Sequence, residues 1–245
     1  MNYFVYNGVS SLDMGLRIES KNVFSAPEYD AAFKSIPGRD GELIVPNYRL
    51  PNIQVTYSVF VPARSIAELS AKITAIKAWL YTEPDRYHEL RDTYDAEAFR
   101  KAVIRSKLDI EDQLNKIGVF TVSFSCLPYK YLDAGQASVT ISEGSGSTRL
   151  VNPTAFSSKP LIRINGSGDG TLIVVGRSEI TELQIAGISS HLYCDSEQMN
   201  FYKGATPMND AVTADRFPVL TPGDNHFVFS GGITSIAVTP RWVTL

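Results

Sequence analysis

Histidine and cysteine are scarce in this chain of 245 residues, which holds three histidines (His88, His191, His226) and two cysteines (Cys126, Cys194). So few ligands exclude a structural zinc cluster and leave little from which to build a histidine-based acid–base or metal site. The two cysteines stand far apart, so the chain is not a disulfide-stapled scaffold, and both thiols are expected to be reduced. No apolar run approaches the roughly 20 residues of a membrane-crossing helix. The first basic residue, Arg17, follows a polar turn instead of preceding a hydrophobic stretch, so neither a membrane anchor nor a signal peptide is expected. An excess of positive charge is missing too. Lys and Arg sum to 23 against 26 Asp and Glu, a net charge of -3 that offers no footprint for gripping nucleic acid and speaks against a repressor or a polymerase clamp.

What is present is an ordinary globular composition, 44% apolar and 20% charged, in a chain long enough for one large domain or two modest ones. With 12 Tyr, 12 Phe, 17 Gly and 13 Pro, it favours strands and tight turns over helix bundles. Residues 2–8 read as a short aromatic strand closed by Asn7-Gly8, with 15–19 as its hairpin successor. The clearest strand is 53–61, where Ile53, Val55, Tyr57, Val59 and Val61 alternate with Gln54, Thr56, Ser58 and Phe60. Pro62 stops it, and Ser65 with Glu68 forms a capping box that opens a helix. The helix aliphatics Ile66, Leu69, Ile73, Ile76 and Leu80 fall within an arc of about 80°, the expected core face. On the opposite side Ala67, Ala71, Ala75 and Ala78 cluster; such small side chains permit close approach by another subunit, although the high helix propensity of alanine accounts for them as well.

Further strands are expected at 87–92, 99–104 and 118–126, the last placing Cys126 as a small buried hydrophobe. Composition shifts in the Gly/Ser-rich stretch 135–148, which marks a boundary between a domain at 1–134 and a second at 135–245. Beyond it, short strands at 160–165, 171–175, 179–185, 191–195, 200–203, 225–230 and 233–239, separated by glycine-rich turns, spell an all-β sandwich or jelly roll.

Candidate chemistry is thin, and neither catalytic, cofactor-binding nor metal-binding residues are assigned. Asn165-Gly-Ser-Gly-Asp-Gly170 lacks a Walker lysine and a following helix, so it reads as a hairpin turn rather than a phosphate loop. Asp195 and Glu197 could form a carboxylate pair for glycoside cleavage, but acids at a turn are usually solvated. The histidines show no metal-ligand spacing, and no nucleophile elbow exists. The densest local code is 35–43, where Pro37-Gly38 and Asp40-Gly41 are successive turn dipeptides holding Arg39 between apolar flanks. This segment is expected to project as a tight loop, either a plain surface hairpin or a docking arm made by Ile36, Pro37, Gly38, Arg39, Asp40 and Gly41.

That segment also carries a resemblance. Phe4-x-Tyr6-Asn7-Gly8, Ser11-x-Asp13-x-Gly15-Leu16, Ile36-Pro-Gly-Arg-Asp-Gly-Glu-Leu43 and Asn52-Ile-Gln-Val-Thr-Tyr57 resemble the N-terminal region of the distal tail protein family of long-tailed phages that infect Gram-positive bacteria. Later, Val151-Asn-Pro-Thr-Ala-Phe156, Lys159-Pro-Leu-Ile-Arg163, Phe217-Pro-x-Leu-x-Pro-Gly-x-Asn225 and Pro240-Arg-Trp242 extend the similarity over nearly the whole chain. The resemblance implies an α+β N-terminal domain closing into a homohexameric ring, followed by a galectin-like β-sandwich. It implies a virion component at the distal end of the tail, made in the host cytoplasm and free of catalysis. Its partners would be the tail tube protein, the tail-associated tip protein, the tape measure protein and a receptor-binding protein. Six copies would carry about -18, compatible with DNA passing through a channel without being held. The alternative is a carbohydrate-binding module or cell-wall glycosidase on the C-terminal jelly roll, with Tyr193, Phe201 and Tyr202 as an aromatic platform.

Overall fold

The structure, a computed structural model, describes residues 2–105, 107–142 and 149–245. It is mostly β, with 56% strand and one α-helix among the described residues, the class expected from composition. The chain forms two compact units, one up to Lys130 and one from Tyr131 to Thr244. They meet in sequence within a single strand; residues 143–148 of the Gly/Ser-rich stretch lie outside the described residues.

The first unit contains β1 (Phe4–Tyr6), β2 (Val9–Ser10), β3 (Arg17–Asn22), β4 (Ala31–Ser35), β5 (Glu42–Pro46), β6 (Ile53–Pro62), α1 (Ile66–Leu80), β7 (His88–Asp92), β8 (Asp95–Ile104), β9 (Glu111–Gln113) and β10 (Ile117–Leu132). Asn7 and Gly8, at φ 49° and 76°, make the tight turn that joins β1 to β2. The strand expected to follow in that hairpin goes elsewhere. β1 is flanked by β2 and β7, so β3 pairs with β6 at the far edge of a sheet ordered β2-β1-β7-β8-β10-β6-β3.

The alternating face of β6 is buried as its sequence requires, and packs with Phe120, Val122, Phe124 and Cys126 of β10 in one core. Cys126 is fully buried, and burial pushes its thiol up to about 12, which makes it an inert core side chain. Helix α1 adds Leu69, Ile76, Trp79 and Leu80. Ser65 caps it as the sequence predicts, the Glu68 N–H donating to Ser65 Oγ at 3.3 Å, but the return bond of the capping box moves by one residue: Glu68 Oε2 accepts from the Arg64 N–H at 2.9 Å. Two core assignments change. Ile66, in the first turn, remains 54% exposed, whereas Trp79 reaches the core from outside the aliphatic arc because its indole N–H donates to the Tyr6 carbonyl at 3.0 Å.

The second unit contains β11 (Val139–Ser142), β12 (Arg149–Asn152), β13 (Leu161–Val175), β14 (Ile180–Asp195), β15 (Asn200–Lys203), β16 (Thr206–Pro207), β17 (Val212–Thr213) and β18 (Gly223–Thr239). Six of the expected short strands are therefore halves of three long ones. The run 165–170 is not a hairpin turn but the bend of β13, where pairing with β14 and β18 shifts register and then resumes. Glycine is needed there for clearance: a Cβ on Gly166 would lie 2.1 Å from the Gly232 carbonyl oxygen, and one on Gly232 would lie 1.9 Å from that of Ser167. The halves before the bend of β13 pair with the later halves of β18 and β14, joined by β11 and β15. The halves after it pair with the earlier halves of β18 and β14, joined by β12 and β17. Ile162 and Ile164 from one set share a single core with Leu172 and Val174 from the other, so the strands bend to make a two-layered antiparallel sandwich.

Candidate functional site

Among the described residues, the segment 30–49 pairs with no other strand of the first unit. β4 and β5 form their own two-stranded sheet, with Phe33 opposite Ile44, Ala32 opposite Val45 and Lys34 opposite Leu43. At the tip, the Arg39 N–H donates to the Ile36 carbonyl at 3.1 Å, with Pro37 next and Gly38 at φ 80°, the geometry of a type II turn. At the base, Asn47 Nδ2 donates to Asp30 Oδ1 at 2.7 Å, Arg49 Nε donates to Asp30 Oδ2, and the Asn47 N–H donates to the Asp30 carbonyl at 2.9 Å. The hydrogen bond from Asn47, then that from Arg49, holds the Asp30 carboxyl below the usual carboxylate range. Both ends of the hairpin are thus fixed by side-chain and turn chemistry.

Its middle is apolar on both faces. Phe33 and Ile44, directly opposite, are 59% and 56% exposed, and Leu43 and Val45 on the other face are exposed as well. An isolated two-stranded hairpin is marginal in water, and this one shows apolar side chains in both directions. Ile36, Pro37, Gly38, Arg39, Asp40 and Gly41 all lie exposed at its tip. The turn dipeptides mark this tip in the sequence, whereas the apolar shaft, absent from the expectations above, has as its signal the run Leu43-Ile44-Val45 beside one of them. Ala67, Ala71, Ala75 and Ala78 are exposed on the outer face of α1, a second surface of small side chains.

The second unit offers less. Asp195 is not a solvated turn acid: it is 1% exposed and held by Arg241 through Nη1 and Nη2 at 2.7 and 3.0 Å. Glu197 accepts from the Tyr131 hydroxyl at 2.8 Å and lies 3.4 Å from Arg241. Burial raises the Asp195 carboxyl, but the Arg241 hydrogen bonds, then the backbone N–H groups of Gln198 and Glu197, outweigh it and leave it below the usual range. These acids brace a loop against the C-terminal segment and are occupied by it. Of the proposed aromatic platform, Phe201 is a core side chain stacked on Phe217 at 4.8 Å, while Tyr193 and Tyr202 stack on each other at 5.2 Å across neighbouring strands. Among the described residues no group of three or more His, Cys, Asp or Glu is placed to hold a metal ion.

No protein-family model matches the sequence, and no curated protein matches it. Among solved structures, the chain is similar to the Dit (gp 19.1) protein of phage SPP1, described as a paradigm of the hub adsorption apparatus in phages that infect Gram-positive bacteria. The two superpose with a TM-score of 0.76 and 15% identity, covering 100% of both chains. A weaker likeness relates it to chains of the phage P2 baseplate in its activated conformation, with Ca (TM-score 0.51, 7% identity, 97% of each chain covered) and with Sr (0.50, 8%, 97% of this chain and 98% of that one). At such identities what is shared is the fold: over its full length this chain has the fold of a phage distal tail protein.

Proposed function

We propose that the chain is a distal tail protein, a non-enzymatic hub whose first unit closes into a homohexameric ring between tail tube and tail tip. The observation that carries this reading is the match in fold over the whole of both chains, since neither unit is left over to suggest another task. The arm at 30–49 supports it from within the molecule. A heterologous contact closes a ring when a patch on one copy fits a different patch on the next, and an exposed apolar hairpin outside the main sheet suits such a patch. The exposed alanine face of α1, with Ala67, Ala71, Ala75 and Ala78, supplies a second surface for close packing between copies.

In this role tail tube and tip protein bind opposite faces of the ring, tape measure and DNA pass through its centre, and a receptor-binding protein attaches at the periphery. Electron microscopy of tails that carry a tagged copy tests the reading. Six tags around a central hole at the distal end are expected; tags elsewhere on the virion, or tails that lack the chain altogether, overturn it.

A further inference from the structure

A small recess in the first unit holds a buried cation that makes no ion pair among the described residues. Two ion pairs near its wall are complete: Asp92 takes Lys21 and the Tyr57 hydroxyl, the latter at 2.8 Å, and Asp95 takes Lys130 at 2.7 Å. Arg100, which also lines the recess, makes no ion pair among the described residues, although the Asp95 carboxylate acts on it from a distance. It is only 8% exposed, and its hydrogen bond is one long contact, 3.4 Å from Nη1 to the Pro128 carbonyl. A guanidinium offers five N–H donors in a planar fork suited to a carboxylate, and leaving it buried and unpaired costs several kcal/mol. Burial lowers the affinity of Arg100 for its proton, and the more distant Asp95 carboxylate offsets this only in part. The rim is aromatic: Phe24, 81% exposed, meets Tyr94 edge-on at 5.9 Å, and the Tyr94 ring also receives Lys21.

Resting on the ring reading above, we infer that this recess is the seat for the arm tip of a second copy, with the Asp40 carboxylate meeting the Arg100 guanidinium. The tip carries adjacent charges of opposite sign, Arg39 and Asp40, and the recess offers the inverse pair. Arg100 lies inside, and Asp95, which already holds Lys130 but keeps its side chain 41% exposed, shares its carboxylate with Arg39 as a second partner. The apolar shaft behind the tip meets the aromatic rim, so charge and apolar surface match in the same order. Both halves belong to the same chain, which makes the contact head-to-tail and repeatable around a ring.

A double-mutant cycle on the full chain tests this by sedimentation velocity across a concentration series. Asp40→Asn alters only an exposed tip and leaves folding intact; Arg100→Met keeps the volume of the buried side chain and removes its charge. Each is expected to weaken self-association by at least about tenfold, and the double variant no more than either alone, because both remove one contact. Circular dichroism of Arg100→Met checks that it folds; should it not, Asp95→Lys with Arg39→Glu serves as a charge exchange, each alone weakening association and the two together restoring it. Fully additive losses, or assembly indifferent to Asp40→Asn, overturn the arm–recess contact. A chain that remains monomeric at every concentration also overturns it. Whether the ring reading stands is decided separately by where tags appear on imaged tails.

Discussion

Truncating Phe33 to alanine separates assembly from folding. In the single chain Phe33 is 59% exposed on an arm that pairs with no other sheet among the described residues, so its removal should shift monomer stability by no more than about 0.5 kcal/mol. If the arm is covered by a neighbour, the exposed fraction of a phenylalanine that buries about 200 Å² amounts to about 120 Å². At about 25 cal/mol per Å² its burial contributes about 3 kcal/mol to each contact, or about two decades in Kd. Ile44 lies directly opposite and is 56% exposed, so Ile44→Ala should act in the same direction, and the pair should couple because they share one face. Urea unfolding at low concentration reads the first quantity; analytical ultracentrifugation or native mass spectrometry reads the second. A variant that loses stability as a monomer, or that assembles as well as the parent, would falsify the assignment of the shaft as a covered surface.

Three further outcomes follow from the geometry. Ala71→Glu on the exposed face of α1 should leave the thermal transition of the monomer within about 1 °C but block ring formation, read by light scattering. Asp195→Ala leaves Arg241 only its longer contact with Glu197 and should cost the second unit about 3 kcal/mol, the lower end for a broken buried pair, in chemical denaturation. Because the folded Asp195 carboxyl lies below its unfolded value, its stabilising contribution is complete above the ordinary aspartate pKa of about 3.9 and lost as pH falls through the folded value. Acidification should therefore narrow the gap between parent and Asp195→Ala, and a gap that widens refutes the assignment. Gly232→Ala must move backbone, since its Cβ would stand 1.9 Å from a carbonyl oxygen, and should cost about 3 kcal/mol. Gly168→Ala, open to solvent at φ 84°, should cost about 1–2 kcal/mol, so equal losses at the two glycines would count against the close strand crossing.

What the sequence discloses depends on how far apart the deciding residues lie. β6 and the cap of α1 are legible because alternation and a Ser-x-x-Glu spacing are local, and the structure places them as read. The tip of the arm is legible for the same reason, since Pro37-Gly38 encodes its own turn. The bends of β13 and β18 are not. A glycine run means a turn or a strand crossing with equal local economy, and only the approach of Gly166 to Gly232 decides between them. Asp195 misleads in the same way, because the arginine that buries it is 46 residues distant. That Arg100 makes no ion pair among the described residues has no signal in sequence at all: Asp92 and Asp95, which lie near it, pair with Lys21 and Lys130.

The three bent strands carry a consequence for how the sandwich forms. Since β13, β14 and β18 each run through both layers, neither layer can be completed while the other is absent, and the two must condense in one step. The pairing that closes them joins Leu161 to Thr239 and Val175 to His226, contacts of high sequence separation that nucleate slowly. Synthesis of the last strand is therefore the event that commits the second unit, and a nascent chain cut short before β18 leaves β13 with an open edge at which other copies can pair.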